Sequence, residues 1–453
     1  MTDGLFSEFN PVSAKQWKQK IQYDLQGADY NRALIWHSNE DIAVKPFYNT
    51  EDFNTWPETS NTKATAWKIC QTIYVADVKK SNINATEALN NGADSIKFII
   101  PSEDISIEKL TENIDCEKHQ LIFSMQCLSE AFILKTLECI PEAHIEIDII
   151  NRLAQSGNWY NNLNADFNTF KNISAESETI TVDTSLYQNA GANMVQQLAY
   201  ALAHANEYLN ALENQKIDFT NFKITFHVAM GSNYFFEIAK LRALNTLWDT
   251  LAQEYGINSA CHISASPTKR NKTIYDAHSN MLRSTTECMS AILGGAQSIC
   301  NQAYDSIFRK TNAFSETMAR NQLLILKHES YFDKVNNPAN GAYYIESLTN
   351  QLAEKALTLF KDIEQQGGFL KQLKTGTIQR KIKESAQKEI TQFENNDITL
   401  IGSNKHSDLE ERMKNQLELF PFVKTNPRKT LIEPIIEKRL AETHEQKRLQ
   451  NEH

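Results

Sequence analysis

The sequence predicts an α/β protein built on a (β/α)8 TIM-type barrel, with an N-terminal extension and a helical C-terminal extension. Three observations carry that reading. Short β-rich runs recur eight times, at 69–75, 95–100, 120–125, 144–149, 179–183, 223–228, 259–265 and 296–301. Segments with helical periodicity lie between them, most clearly 192–212, 234–253 and 273–293. A chain of 453 residues also has room for a barrel of roughly 250 residues with extensions at both ends. Eight strands alternating with helices is the count of a closed parallel barrel. An open doubly wound sheet has the same count and stays open as the alternative.

The elements divide as residues 1–60, 61–345 and 346–453. The first segment reads as a helix over 13–25 starting at a Ser13 N-cap, then Gly27, then extended chain to Trp56 and Pro57. Its aromatics (Phe6, Phe9, Trp17, Tyr23, Tyr30, Trp36, Phe47, Tyr48 and Phe53) are too many for a solvated tail. They must pack on the body of the chain or on another subunit. After about residue 303 the pattern turns helical and charged, with breaks at Gly367-Gly368 and near Ile401-Gly402. The last stretch, 426–453, reads as a solvent-facing helix, and within it 438–448 alternates Glu with Lys and Arg.

Composition narrows the functional classes. Hydrophobic residues make up 41% and charged residues 23%, which fits a folded globular chain. No apolar run approaches the roughly 18 residues of a membrane span, and the N-terminus mixes Asp3 and Glu8 with aromatics, unlike a signal peptide. The expected location is the cytoplasm. A net charge of -10 argues against nucleic-acid binding, which needs clustered Lys and Arg. The seven cysteines are scattered with no Cys-x-x-Cys pair and no His at zinc-ligand spacing, so no metal site is expected.

Chemistry in a barrel sits just after the strand ends. The segment after the fifth strand runs Thr184-Ser185-Leu186-Tyr187-Gln188-Asn189-Ala190-Gly191-Ala192. Taken alone it reads as a loop with small residues for close packing. Four further stretches follow it in order: Asn233-Tyr234-Phe235-Phe236-Glu237; Ala319-Arg320-Asn321-Gln322 with Glu329-Ser330; Gly341-Ala342-Tyr343-Tyr344-Ile345-Glu346; and Leu400-Ile401-Gly402 with Asn404-Lys405. In order and spacing, over roughly 180–405, these five resemble the barrel of the methylmalonyl-CoA mutase family.

The resemblance implies adenosylcobalamin-dependent 1,2-rearrangement of a CoA thioester held along a barrel axis, with a separate cobalamin-binding domain in the complete catalytic chain. It also marks departures. Ser185 and Leu186 stand where catalytic chains carry a Tyr-His pair, whose His donates to the thioester carbonyl. Gln188 matches, but Asn189 replaces the Glu that contacts cobalamin. Thr72 replaces a Tyr that stacks near corrin and substrate, and Lys223 takes the place of an Arg that meets CoA phosphate. His262 falls near an Arg-x-His element but out of step with it, and is assigned no role. Losing one donor from such an electrostatic site typically costs about 10²- to 10³-fold. The only Asp-x-His, Asp276-Ala277-His278, lacks the following Gly of the cobalt-ligating motif and lies in a predicted helix. The family comparison places the end of the sequence at the start of the interdomain linker.

No residue is therefore expected to be catalytic, and no cofactor is expected on this chain alone. The reading is a structural small subunit pairing as a heterodimer with a full-length catalytic mutase subunit, which supplies adenosylcobalamin and the acyl-CoA site, with residues 1–60 wrapping that partner. The alternative is a catalytic substrate subunit working with a separately encoded cobalamin-binding subunit. A third is a barrel enzyme of unrelated chemistry, for which no constellation of acid, base or metal ligands is found.

Overall fold

The structure, a computed structural model, describes residues 8–56, 64–213, 222–424 and 427–452. Phe6 and Pro57, named above, lie outside the described residues, as do Asn426 and His453. Eight parallel strands form the expected barrel: β1 Lys68–Tyr74, β2 Ser95–Ile100, β3 Gln120–Met125, β4 His144–Glu146, β5 Thr179–Asp183, β6 Lys223–Met230, β7 His262–Pro267 and β8 Ser298–Ile299. Their order is β4-β3-β2-β1-β8-β7-β6-β5, so the first strand pairs with the last and the open-sheet alternative falls.

The seam lies between β4 and β5, where side chains complete the ring. Asp148 accepts hydrogen bonds from the Asp183 amide at 2.7 Å, from the Tyr208 hydroxyl at 2.7 Å and from the Asn151 amide at 2.7 Å, and meets His204 Nε2 at 3.0 Å. This explains one correction: β4 ends at Glu146 and not at 149, because Asp148 turns away to cap the helix Ile149–Ser156. The strand expected from 259 begins instead at His262, since Ser259 spends its hydroxyl on the Phe222 carbonyl and its own carbonyl on the Trp248 indole.

The strands alternate, and the alternation separates two environments. On β2 the outer residues Ile96, Phe98 and Ile100 are fully buried under helices, while Ser95, Lys97 and Ile99 point inward. Two long helices, Met194–Glu213 and Tyr234–Glu254, cover β5 and β6, and a third, Tyr343–Gln365, packs across both through Leu348, Leu352 and Ala356. The 345/346 division therefore falls in the first turn of a helix that belongs to the barrel's core. Gly367 and Gly368 break the chain as expected, both at positive φ.

The N-terminal end forms the expected helix and packs part of its aromatics on the barrel, while the C-terminal end departs from expectation. The helix Ala14–Asp24 forms with the Ser13–Gln16 capping box, but none of its residues is buried. Beyond it the hairpin of Trp36–His37 and Ala43–Val44 docks on the barrel: Ile42 is fully buried, Trp36 meets the edge of Phe236, and Tyr48 and Phe53 pack on Tyr344 and Tyr343.

At the other end the expected helix over 426–453 is confined to Glu442–Gln450, after a strap without regular structure. Nor is the 438–448 charge run solvated: Arg439, Glu442 and Glu445 are all buried. Arg439 meets Glu445 at 2.5 Å and donates to the carbonyls of Lys272 and Pro421. Asp276-Ala277-His278 is a turn and not helix. The Asn280 side chain folds the segment back by bonding both the amide and the carbonyl of Thr273, and the helix starts at Ser279.

Candidate functional site

Two cavities approach each other along the barrel axis. The upper one, about 840 Å³, opens at the C-terminal ends of the strands and is lined by Thr72, Lys97, Asp183, Ser185, His227 and Cys300 among others. The lower one, about 760 Å³, opens at the N-terminal ends, where Lys68, Lys118 and Lys223 alternate with Glu117, Glu142 and Glu178 on a rim of mixed charge, and reaches inward to His144, Glu146, Thr225 and His262.

Between them stands a cluster of inward-facing side chains from β2, β4 and β6. Glu146 pairs with Lys97 Nζ at 2.7 Å and with His227 Nε2 at 2.7 Å, and Lys97 Nζ lies 3.2 Å from the same imidazole nitrogen. Burial favours the neutral acid at Glu146, but the His227 and Lys97 charges outweigh it and hold the carboxyl well below the usual range. Burial likewise opposes the Lys97 charge, and Glu146 outweighs it, raising the ammonium pKa. The Lys97–Glu146 pair therefore stays ionised across the working pH range. Below it, burial lowers the pKa of His144, and burial with the neighbouring His144 and His227 lowers that of His262 to about 4. The rings of these two residues contact hydroxyls, His144 at Thr225 (3.2 Å) and His262 at Ser298 (3.0 Å).

The upper mouth is roofed by the chain's own C-terminal strap. The Asn189 side chain donates to Glu437 at 3.0 Å and accepts from the Thr268 hydroxyl at 2.8 Å and the Lys269 amide at 3.0 Å, while its carbonyl accepts from the Lys438 amide at 3.1 Å. Arg270 donates to the Lys438 carbonyl at 2.8 Å, and Phe420, Pro421 and Phe422 line the same mouth.

The positions singled out in the sequence are not brought together as one site. Thr72, Ser185 and Asn189 line the upper cavity, with the Ser185 hydroxyl on Asp183 at 2.6 Å. Leu186 is buried in the apolar core. Gln188 accepts from Lys240 at 3.1 Å, beside a separate cleft of about 540 Å³ under the N-terminal hairpin. Lys223 lies on the lower rim, at the other end of the barrel. Sequence reasoning missed Lys97, Glu146 and His227, although each is a polar or charged residue inside a strand of alternating pattern, the signal that marks an inward-facing position. Among the described residues no three His, Cys, Asp or Glu converge as metal ligands.

The family model for methylmalonyl-CoA mutase matches residues 142–451. A methylmalonyl-CoA mutase small subunit from Porphyromonas gingivalis is 32% identical over 444 residues, covering 90% of this chain and 72% of that one. The large subunit from the same organism is 32% identical over 234 residues, covering 50% of this chain and 33% of that one. Against the methylmalonyl-CoA mutase of Rhizobium meliloti identity is 28%, and the chain spans 64% of that protein's length. With small-subunit relatives aligned along most of its length and the barrel in place, the chain belongs to the methylmalonyl-CoA mutase family.

Proposed function

We propose that this chain is the noncatalytic small subunit of an adenosylcobalamin-dependent methylmalonyl-CoA mutase, supporting a catalytic large subunit in a heterodimer and binding neither cofactor nor acyl-CoA in its own barrel. The observation that carries this reading is the Lys97–Glu146–His227 cluster, which closes the axis a CoA thioester would have to follow. Passing a thioester arm through would separate buried charges from their partners, and breaking such a pair costs about 3–5 kcal/mol. Lys223 stands on a rim of mixed charge beside Glu178, and the axis behind it is filled.

The residues at the upper mouth do not fit a corrin. Asn189 is committed to Glu437, Thr268 and Lys269, and the strap occupies the face above it. Leu186, at the position of the expected thioester donor, has no hydrogen to donate and faces the core. The same filled axis argues against a catalytic substrate subunit served by a separate cobalamin-binding subunit.

A surface for the partner lies at the N-terminus. Of the residues 8–28, Phe9 is 72% and Tyr23 80% exposed, and Trp17, stacked on Phe47, is still 48% exposed. An apolar strip of this kind is what an obligate partner buries. The test is turnover of methylmalonyl-CoA with adenosylcobalamin by this chain alone, with an isolated cobalamin-binding subunit, and with a large subunit. Activity is expected only in the third arm, and turnover in the second would establish the alternative.

A further inference from the structure

The upper cavity carries chemistry that a supporting subunit does not use. Ser298 pairs with Lys68 and Ile299 with Ile69, so the next residue, Cys300, falls beside Cys70 on the neighbouring strand. Both are on the inward face, and with Ile122 they form a small cluster apart from the main core. Adjacent strands lie about 4.8 Å apart, within the Cα separation of about 4.4–6.8 Å that a disulfide spans. Cys300 lines the cavity of about 840 Å³ that leads out to solvent, and its sulfur lies 3.8 Å from the Ser264 hydroxyl.

We infer that Cys300 and Cys70 are a peroxide-reactive thiol pair, Cys300 attacking and Cys70 resolving, on the floor of the upper cavity. Lys97 from β2 brings positive charge to the floor of the same cavity, His227 from β6 lines it, and Glu146 from β4 and Asp183 from β5 oppose that charge. The Cys70 thiol donates to Cys300, burial opposes ionisation, and Lys97 and His227 assist it; the balance lowers the Cys300 pKa and raises that of Cys70. Cys300, the one of the two that lines the cavity, is the sulfur an oxidant from solvent reaches first, and Cys70 beside it is placed to resolve.

The reaction balances with hydrogen peroxide as the oxidant. The Cys300 thiolate attacks one peroxide oxygen; an S–O bond forms, the O–O bond breaks, and the departing hydroxide takes a proton to leave as water. The Cys70 sulfur then attacks the sulfenic sulfur of Cys300, forming the S–S bond and expelling the oxygen, which leaves with the Cys70 proton as a second water. Two thiols lose two electrons, and one peroxide becomes two waters. The product ties the first strand of the barrel to the last.

The test is thiol mapping on the purified full-length chain, whose outcome does not depend on any mutase activity. After dilute hydrogen peroxide at neutral pH and alkylation of the remaining thiols, peptide mass spectrometry is expected to show a Cys70–Cys300 cross-link. With Cys70→Ser a sulfenic acid at Cys300 should be trapped by dimedone. In the untreated wild type, iodoacetamide should modify Cys300 on the order of tenfold faster than exposed Cys139 at pH 6, where an ordinary thiol is almost wholly protonated. The inference is overturned if wild-type Cys300 reacts no faster than Cys139 and no cross-link forms, a result that needs no variant to fold.

Discussion

The two ends of the chain look alike in sequence, each a polar or aromatic appendage to a barrel, yet they are built oppositely. The C-terminal strap buries its charges: Arg439 sits on Glu445 and two backbone carbonyls, the Glu445 carboxylate accepts from the Ile274 amide at 2.9 Å, and Glu452 accepts from Tyr275 at 2.5 Å. The N-terminal segment before Tyr30 exposes its apolar groups. Buried charge paired within the chain serves the chain's own fold, whereas exposed aromatic surface is what the proposed partner would cover.

Removing one partner from the strap should give the largest effect. Arg439→Ala leaves Glu445 buried without its cation and should cost about 3–5 kcal/mol of stability, read as a lower thermal midpoint. The seam should be next. Asp148→Asn removes a carboxylate serving β5, Tyr208 and His204 and should cost about 2–3 kcal/mol. Burial raises the Asp148 pKa, but His204 and the hydrogen bonds outweigh it and leave it depressed. Its contribution is therefore present above the unfolded value of about 3.9 and lost as pH falls through the lower folded value, so the variant should flatten acid unfolding below about pH 4.

Deleting residues 1–24 should leave the circular dichroism and thermal midpoint of the barrel nearly unchanged while weakening co-purification with the large subunit at least about tenfold. If that deletion destabilises the chain as much as Arg439→Ala, the contrast between the ends is wrong. The smallest effect is expected on activity: Ser185→Tyr with Leu186→His should yield no turnover without a partner, because the second side chain points into the core and the axis stays closed.

The barrel and its strand count were legible because outward residues such as Ile96, Phe98 and Ile100 alternate cleanly with inward ones. The sequence also singled out Ser185, Leu186 and Asn189, but not the polar cluster at the centre of the barrel. Lys97, Glu146 and His227 lie on three strands far apart in sequence, and only closure of the barrel makes them one cluster. The strap misled for a related reason: alternating charge reads as a solvated helix unless the partners, Lys272 and Pro421 carbonyls for Arg439, are already in view.

The most direct test counts acyl-CoA sites. Equilibrium dialysis of methylmalonyl-CoA against this chain alone and against its assembly with a large subunit should give no site on the chain and one per large subunit in the assembly. Saturable binding by the isolated chain, or two sites per heterodimer, would contradict the closed axis formed by Lys97, Glu146 and His227.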